Sequence, residues 1–393
     1  MPPRENWAAR FGLLGGLLDA HDNLWRPPPF HIPRPAWCDR HPDLTGHLLG
    51  LSDDEVVRLT ADNEGLIGLV SSFIPELGAL RELIALPAVD APPVPVDPHA
   101  IWRMPGRKQE QIEAFAAAIG KPVGPVLEWC AGKGHLGRLL AMQWGVPVVS
   151  LDHDAGLCAD GEELAQRVGV GQCFVQADAL AAGSASRLQG RHAIGLHACG
   201  DLHRALLRGA VEQGAAALDL APCCYDRSVS ARHEPLNPDA ALPISRSELH
   251  LAITDTATAG AREIRQRDTA MAWKLGFVAL RADATGDDSP RGLKPVPPSW
   301  LALGFEEWCR RLAAREGLAL AAELDLGGYE AMGWQRQREV VRLSLVRLAF
   351  RRPLEVWLAL DQVLYLERHG FQASLAEFCS RSLTPRNLLV SAR

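Results

Sequence analysis

The spacing of apolar residues divides the chain into stretches of different character. Residues 1–86 carry apolar side chains three or four positions apart, which is the period of a helix packed on one face. Residues 87–98 contain five prolines, and this composition predicts a stiff linker. We therefore expect a helical N-terminal region over residues 1–100 and a separate domain over residues 101–393.

Within residues 101–393, short apolar segments alternate with longer helical ones. Five segments of five residues predict buried strands: 126–130, 147–151, 173–177, 193–197 and 216–220. Helical patterns lie between them, for example at 136–144 and 202–213. Strands and helices that alternate at this pace predict an α/β fold, a parallel sheet with helices on both faces.

After the fifth strand the pattern becomes less regular. Residues 226–300 predict an insertion, with a helix near 258–275 and a proline-rich loop at 290–298. Residues 301–393 predict long helices and at least one strand. The segment 339–350 fits either a helix or a strand.

Composition narrows the class of protein. The net charge of -6 disfavours a protein that coats nucleic acid by bulk charge. Nine scattered cysteines without a repeated Cys-x-x-Cys pair argue against a disulfide framework and suit a reducing compartment. There is no run of about 18 apolar residues that would span a membrane. We therefore expect a cytoplasmic protein with no membrane partner.

The strongest chemical signal is the segment from residue 126 to residue 137, a strand followed by a glycine-rich turn and a helix. Gly132, Gly134 and Gly137 let the backbone pass close to a ligand without a Cβ clash. The helix N-terminus offers free amides to a carboxylate or phosphate. The spacing also fits a dinucleotide-binding turn, so by itself it leaves the ligand open.

Acidic residues at strand ends favour one ligand. The segment resembles the Glu/Asp-x-Gly-x-Gly-x-Gly loop of class I methyltransferases, with Glu128 as the acid and Cys130 in place of the first glycine. This resemblance implies S-adenosylmethionine as cofactor. Asp152, which closes the second strand, is expected to accept hydrogen bonds from the ribose hydroxyls, and Asp178 to meet the adenine amino group. A Rossmann-like loop with NAD or without a ligand is the alternative.

Two further motifs follow neighbouring strands. The fourth strand leads into His197-Ala-Cys-Gly-Asp201, and the fifth into Ala221-Pro-Cys-Cys-Tyr225. Both lie at carboxyl ends of strands, where open α/β sheets bind ligands. In one interpretation, His197 or Asp201 orients or deprotonates the methyl acceptor. The pocket of the acceptor is then shaped by residues 222–225, including Tyr225. We also count His197 among the cofactor-binding residues.

The cysteines allow other interpretations. Cys223 follows a proline, as the nucleophile of pyrimidine C5-methyltransferases does, although it follows the fifth strand and not the fourth. His197, Cys199, Cys223 and Cys224 could together ligate zinc, but adjacent cysteines are poor chelators, so we expect no metal. Thiols also pack well at crowded strand ends without any chemical role.

Together these motifs resemble a family of methyltransferase-like proteins, one eukaryotic member of which is labelled "ribosomal RNA adenine dimethylase domain-containing". The resemblance rests on segments 128–137, 197–202, 221–225, 351–357, 360–366 and 383–388, with a looser match at 104–110. The core is more distantly similar to acceptor-stem tRNA 2′-O-methyltransferases. The resemblance covers residues 101–393 and implies a Rossmann-like class I methyltransferase sheet with C-terminal helical additions.

The methyl acceptor is open to several hypotheses. The resemblance implies tRNA or rRNA, but not adenine dimethylation, because an Asn/Asp-Pro-Pro-Tyr/Phe motif is absent. Arginine groups could bind phosphate: Arg262, Arg265 and Arg267; Arg310 and Arg311; Arg336, Arg338, Arg342, Arg347, Arg351 and Arg352. They could equally form a solvated helix face paired with Glu339 and Glu355. A translation-related or ribosome-associated protein is the alternative acceptor, and a non-catalytic module that binds the cofactor is a third hypothesis.

Overall fold

The structure is a computed structural model. It describes residues 6–92, 104, 106–238, 240, 242–254, 260–286, 293–321 and 323–393. The α-helices are α1 (Trp7–Ala20), α2 (Asp22–Trp25), α3 (Trp37–Arg40), α4 (Pro42–Leu49), α5 (Asp53–Ala61), α6 (Asn63–Phe73), α7 (Leu80–Ile84), α8 (Gly106–Ile119), α9 (His135–Trp144), α10 (Ala155–Val168), α11 (Asp201–Gln213), α12 (Arg246–Ile253), α13 (Ala261–Thr285), α14 (Phe305–Glu316), α15 (Leu326–Ala349) and α16 (Arg351–Arg368). The strands are β1 (Val126–Trp129), β2 (Val148–Asp152), β3 (Gln172–Gln176), β4 (His192–Gly195), β5 (Ala217–Leu220), β6 (Ala373–Glu377) and β7 (Leu388–Ala392).

The strands form one seven-stranded sheet in the order β3-β2-β1-β4-β5-β7-β6. Strands β1 to β5 are parallel, which confirms the five predicted strands and the α/β class. The sheet is mixed and not wholly parallel, because β7 pairs antiparallel with both β5 and β6. The connection between β6 and β7 is short, and a short connection returns the chain in the opposite direction.

The chain divides into two compact units. One contains Met1–Ala20, Ala79–Thr258 and Arg351–Arg393, and the other contains His21–Gly78 and Ala259–Phe350. Each unit draws on both sides of residue 100, and the predicted boundary there stays a prediction. Half of the predicted proline-rich linker, part of the loop at 290–298 and the start of the helix near 258–275 lie outside the described residues.

In the unit that holds the sheet, α16 is buried along nearly its whole length. Its Trp357 ring stacks on Phe11 of α1, with ring centroids 5.0 Å apart. Arg351 and Arg352 are only 2% exposed. Arg352 pairs with Glu355 and Glu377, so the expectation that these two arginines form a surface for phosphate is wrong.

In the other unit, α13 and α15 pack on α14 around an aromatic cluster that includes Trp273, Phe305 and Trp308. The segment 339–350, open between helix and strand from sequence, lies almost wholly in α15. Three arginines of α15 have partners within this unit: Arg336 pairs with Glu339, Arg342 pairs with Asp53, and Arg347 donates to the Trp25 carbonyl.

Among the described residues, none of the helices combines the length and the apolar character needed to cross a membrane.

Candidate functional site

Three residues of the glycine-rich turn between β1 and α9 adopt the left-handed backbone conformation. Cys130, Gly132 and Gly134 have φ angles of 56°, 57° and 59°. An L-residue in this conformation costs roughly 1–2 kcal/mol, which is why glycine is usual at the position of Cys130. Gly134 is the N-cap of α9 and has no side chain to cap it, so the first helix amides can receive a ligand carboxylate.

The three glycines of the turn have different surroundings. A Cβ on Gly134 would lie 2.4 Å from the Phe174 ring, and one on Gly137 would lie 2.5 Å from Oε2 of Glu128. A Cβ on Gly132 would meet no atom of the described residues within 4 Å. Gly134 and Gly137 therefore let the turn pack on the sheet, while Gly132 leaves open space where a cofactor could lie.

Glu128 lies beneath the turn and does not face that open space. The residue is 5% exposed, and its carboxylate accepts a hydrogen bond from Ser150 Oγ at 2.7 Å. Burial raises the pKa of Glu128 from 4.5 to about 7, against the opposing effect of the Ser150 and Gly137 hydrogen bonds. Gln172 extends the network, since its Nε2 donates to Ser150 Oγ and to the Gly134 carbonyl, both at 2.8 Å.

Asp152 joins the turn to the end of β2. Its Oδ2 accepts from the Gly132 amide at 2.8 Å, and its Oδ1 accepts from the Asp154 amide at 3.0 Å. Each carboxylate oxygen has two lone pairs, so both oxygens can accept a further hydrogen bond from a hydroxyl. Asp178 is exposed after β3, and its Oδ1 accepts from the Leu180 amide at 2.9 Å.

These features fit S-adenosylmethionine. The first amides of α9 are suited to bind the carboxylate of the cofactor, and the space beside Gly132 leaves room for the cofactor to lie against the turn. The carboxylate of Asp152 is suited to accept hydrogen bonds from the two ribose hydroxyls. Asp178 offers an exposed acceptor at the next strand end. The structure thus brings the predicted cofactor residues to one edge of the sheet, with Glu128 supporting the turn from below.

His197 lies just beyond the end of β4 and has an exposed surface. Its ring nevertheless has enough protein around it that desolvation, and then the positive charge of Lys108, lower the pKa of His197. A neutral imidazole can accept a proton, so this position is chemically able to act as a base.

Cys199 and Cys223 continue the pairing of β4 and β5 as an isolated parallel bridge. Their sulfurs are 3.3 Å apart. Hydrogen bonds from the sulfurs of Cys199 and Cys224, together with burial, raise the pKa of Cys223. Cys223 is 3% exposed, so it lacks both the access and the thiolate character of a nucleophile.

Asp201 and Tyr225 make contacts within the protein near the carboxyl ends of β4 and β5. Asp201 Oδ2 accepts from the Val229 amide at 2.8 Å, which anchors the loop after β5 to the start of α11. Tyr225 is buried, and its ring lies edge-on to His203 with centroids 5.5 Å apart. Burial raises the pKa of Tyr225 well above 10, so its phenol stays protonated.

Sequence reasoning missed several polar residues under the site. Ser150 on β2 and Gln172 on β3 are both buried, and for Ser150 the available signal was a polar residue inside an apolar strand. His135 and Arg138, in the first turns of α9, are buried in contact with each other. Burial, and then the Arg138 charge, lower the pKa of His135 to about 3.

Comparisons with known proteins agree with this geometry. Residues 107–231, about a third of the chain, match a family model described as "Methyltransferase domain". The chain therefore contains a class I methyltransferase domain, whose cofactor is S-adenosylmethionine.

Solved structures with similarity include three methyltransferases. The tRNA (uracil-54, C5)-methyltransferase of Pyrococcus abyssi is 17% identical over 30% of this chain and 28% of its own, with a TM-score of 0.24. Geranyl diphosphate methyltransferase is 16% identical over 29% and 44%, with a TM-score of 0.25. Coclaurine N-methyltransferase is 11% identical over 98% and 96%, with a TM-score of 0.28. The chain spans less than half the length of the first two, and likenesses this weak say nothing about its acceptor.

Proposed function

We propose that this protein transfers a methyl group from S-adenosylmethionine to RNA, with the acceptor bound at the carboxyl ends of β4 and β5. The observation that carries the proposal is the left-handed turn from Cys130 to Gly134, which leaves open space beside Gly132 and meets Asp152. The cofactor supplies an activated methyl group. The protein must then align the acceptor, exclude water and, where needed, accept a proton.

The proposed roles follow from position. Asp152, Asp178 and the first amides of α9 bind the cofactor, and Cys130 and the glycines shape the turn. Glu128 positions the turn from beneath, since its carboxylate contacts Ser150 and not the open space. His197 orients or deprotonates the acceptor, because its lowered pKa favours the neutral ring at pH 7.

RNA is the acceptor class favoured by two observations. The core is distantly similar to acceptor-stem tRNA 2′-O-methyltransferases, and this resemblance supports RNA as the acceptor. Arg262 and Arg265 are exposed near the start of α13, one helical turn apart, and are suited to contact phosphates. Arg310 and Arg311 are instead paired with Glu306 and Glu307 on their own helix.

The test uses purified protein, methyl-labelled S-adenosylmethionine and extract from cells that lack the gene. We expect label in material that nuclease destroys and protease does not, and no label with Asp152→Asn. Label only in protease-sensitive material would contradict RNA and favour a protein acceptor. Intact cofactor binding without any label would favour the non-catalytic module.

A matched pair of variants tests the phosphate contacts. Arg262→Ala/Arg265→Ala is expected to weaken RNA binding and to reduce its salt dependence by about two charges. Arg310→Ala/Arg311→Ala removes the same number of charges from paired side chains and should have little effect. Equal effects of the two double variants would refute a specific role for Arg262 and Arg265.

A further inference from the structure

Three cysteine sulfurs meet at the carboxyl ends of β4 and β5. The Sγ atoms of Cys199, Cys223 and Cys224 all lie within 4.8 Å of one another, the only such group of potential metal ligands among the described residues. Cys223 is buried and the other two are partly buried. None is in a disulfide.

The fold assembles this group from distant parts of the chain. The Gly200 amide donates to the Cys223 carbonyl at 3.2 Å, which fixes the two strand extensions side by side. Adjacent residues in a strand point to opposite faces, which is why neighbouring cysteines seldom chelate one ion. This restriction does not apply to Cys224, because this residue lies beyond the strand and adopts a φ of 46°.

We propose that Cys199, Cys223 and Cys224 bind one zinc ion through three thiolates, with the fourth position open to an external ligand. Tetrahedral zinc with bonds of about 2.3 Å places thiolate sulfurs about 3.8 Å apart, which lies between the 3.3 Å that separates Cys199 from Cys223 and the 4.8 Å within which all three sulfurs lie. Binding releases three protons from the three thiols. His197 lies outside the group, so the site differs from the four-ligand set considered from sequence.

The surroundings suit a bound ion. Zinc with three thiolates carries a net charge of -1, and the positive charges of Arg227 and Arg386 act on this position. Arg386 is held in place by the Ala252 and Ile253 carbonyls. Cys130 of the cofactor turn follows β1 and Cys199 follows β4, and these two strands are neighbours in the sheet. An open fourth position is typical of zinc that binds water or a substrate atom.

The primary experiment measures metal in the full-length protein. After loading with zinc and desalting, we expect one zinc ion per chain by mass spectrometry of the metal. Replacement by cobalt should give the visible bands of tetrahedral cobalt and the ultraviolet bands of cobalt–thiolate bonds. Titration of the thiols with an organomercurial should release the zinc to a colorimetric chelator.

Variants connect the metal to these three residues. Cys199→Ser and Cys224→Ser should each lower zinc affinity at least tenfold, whereas Cys173→Ser, at an exposed position of β3, should retain wild-type affinity. If a variant fails to fold, the organomercurial titration of the wild type decides the question. Protein that retains no zinc above the buffer level, cobalt spectra without thiolate bands, or equal loss in Cys173→Ser would overturn the proposal.

Discussion

The carboxyl group of Glu128 should make the protein less stable as the pH rises from 5 to 8, which is the opposite of the usual effect of a carboxyl group. It lies beneath the cofactor turn, accepts a hydrogen bond from Ser150 and has a pKa raised from 4.5 to about 7 by burial. Glu128→Gln replaces it with a neutral group of the same shape, whose amide oxygen can still accept from Ser150 Oγ. The substitution therefore removes the charge while it leaves the packing in place.

Protonation of Glu128 is linked to folding because its pKa differs between the folded and the unfolded protein. The folded-state pKa is higher than the unfolded one, so folding is favoured below pH 4.5, and that advantage is lost as pH rises through 7. One pKa unit corresponds to roughly 1.4 kcal/mol, so this group lowers the free energy of unfolding by about 2–3 kcal/mol between pH 5 and pH 8. Glu128→Gln should not show this loss.

Urea denaturation of the wild type and the variant at pH 5 and pH 8 measures the effect as a double difference. Other titrating groups change the free energy of unfolding of both proteins equally, so their contributions cancel in this difference. Glu163→Gln, which removes an exposed carboxylate from α10, is the matched control and should follow the wild type. Parallel pH dependences for the wild type and Glu128→Gln would refute the reasoning that Glu128 is buried and protonated near neutral pH.

Three further substitutions test other parts of the structure. Gly200→Ala places a Cβ 1.7 Å from the Arg227 carbonyl oxygen at a φ of 56°, so we expect a loss of more than about 4 kcal/mol, seen as a lowered melting temperature in circular dichroism. Asp361→Ala removes the carboxylate that accepts hydrogen bonds at 2.7 Å from two loop amides, one buried and one partly buried, and urea denaturation should show a loss of about 2–4 kcal/mol in the free energy of unfolding. Asp219→Ala removes the buried partner of His192, whose Nε2 lies 2.7 Å from its carboxylate, at an expected cost of about 3–5 kcal/mol in the same assay. A change below about 0.5 kcal/mol in any of them would contradict the corresponding contact.

The first five strands and the cofactor turn could be predicted because their signals are local. A buried strand is a short apolar run, and the turn at Gly132 and Gly134 needs residues without a Cβ close along the chain. The strand boundaries agree within two residues, and Asp152 closes β2 as the sequence pattern predicted. The sequence by itself thus determined the α/β class and the position of the glycine-rich turn after the first strand.

Only the tertiary structure decided where the polar side chains point. Glu128 turns beneath the cofactor turn because Ser150, 22 residues away, offers a donor there. Arg351 and Arg352 occupy a helix buried on all sides, so charged residues that look like a surface in sequence are internal. Cys199 and Cys223 meet because β4 and β5 are neighbours in the sheet. The local sequence pattern encodes the period of a helix or a strand, but contacts between distant segments depend on the packing of the whole unit.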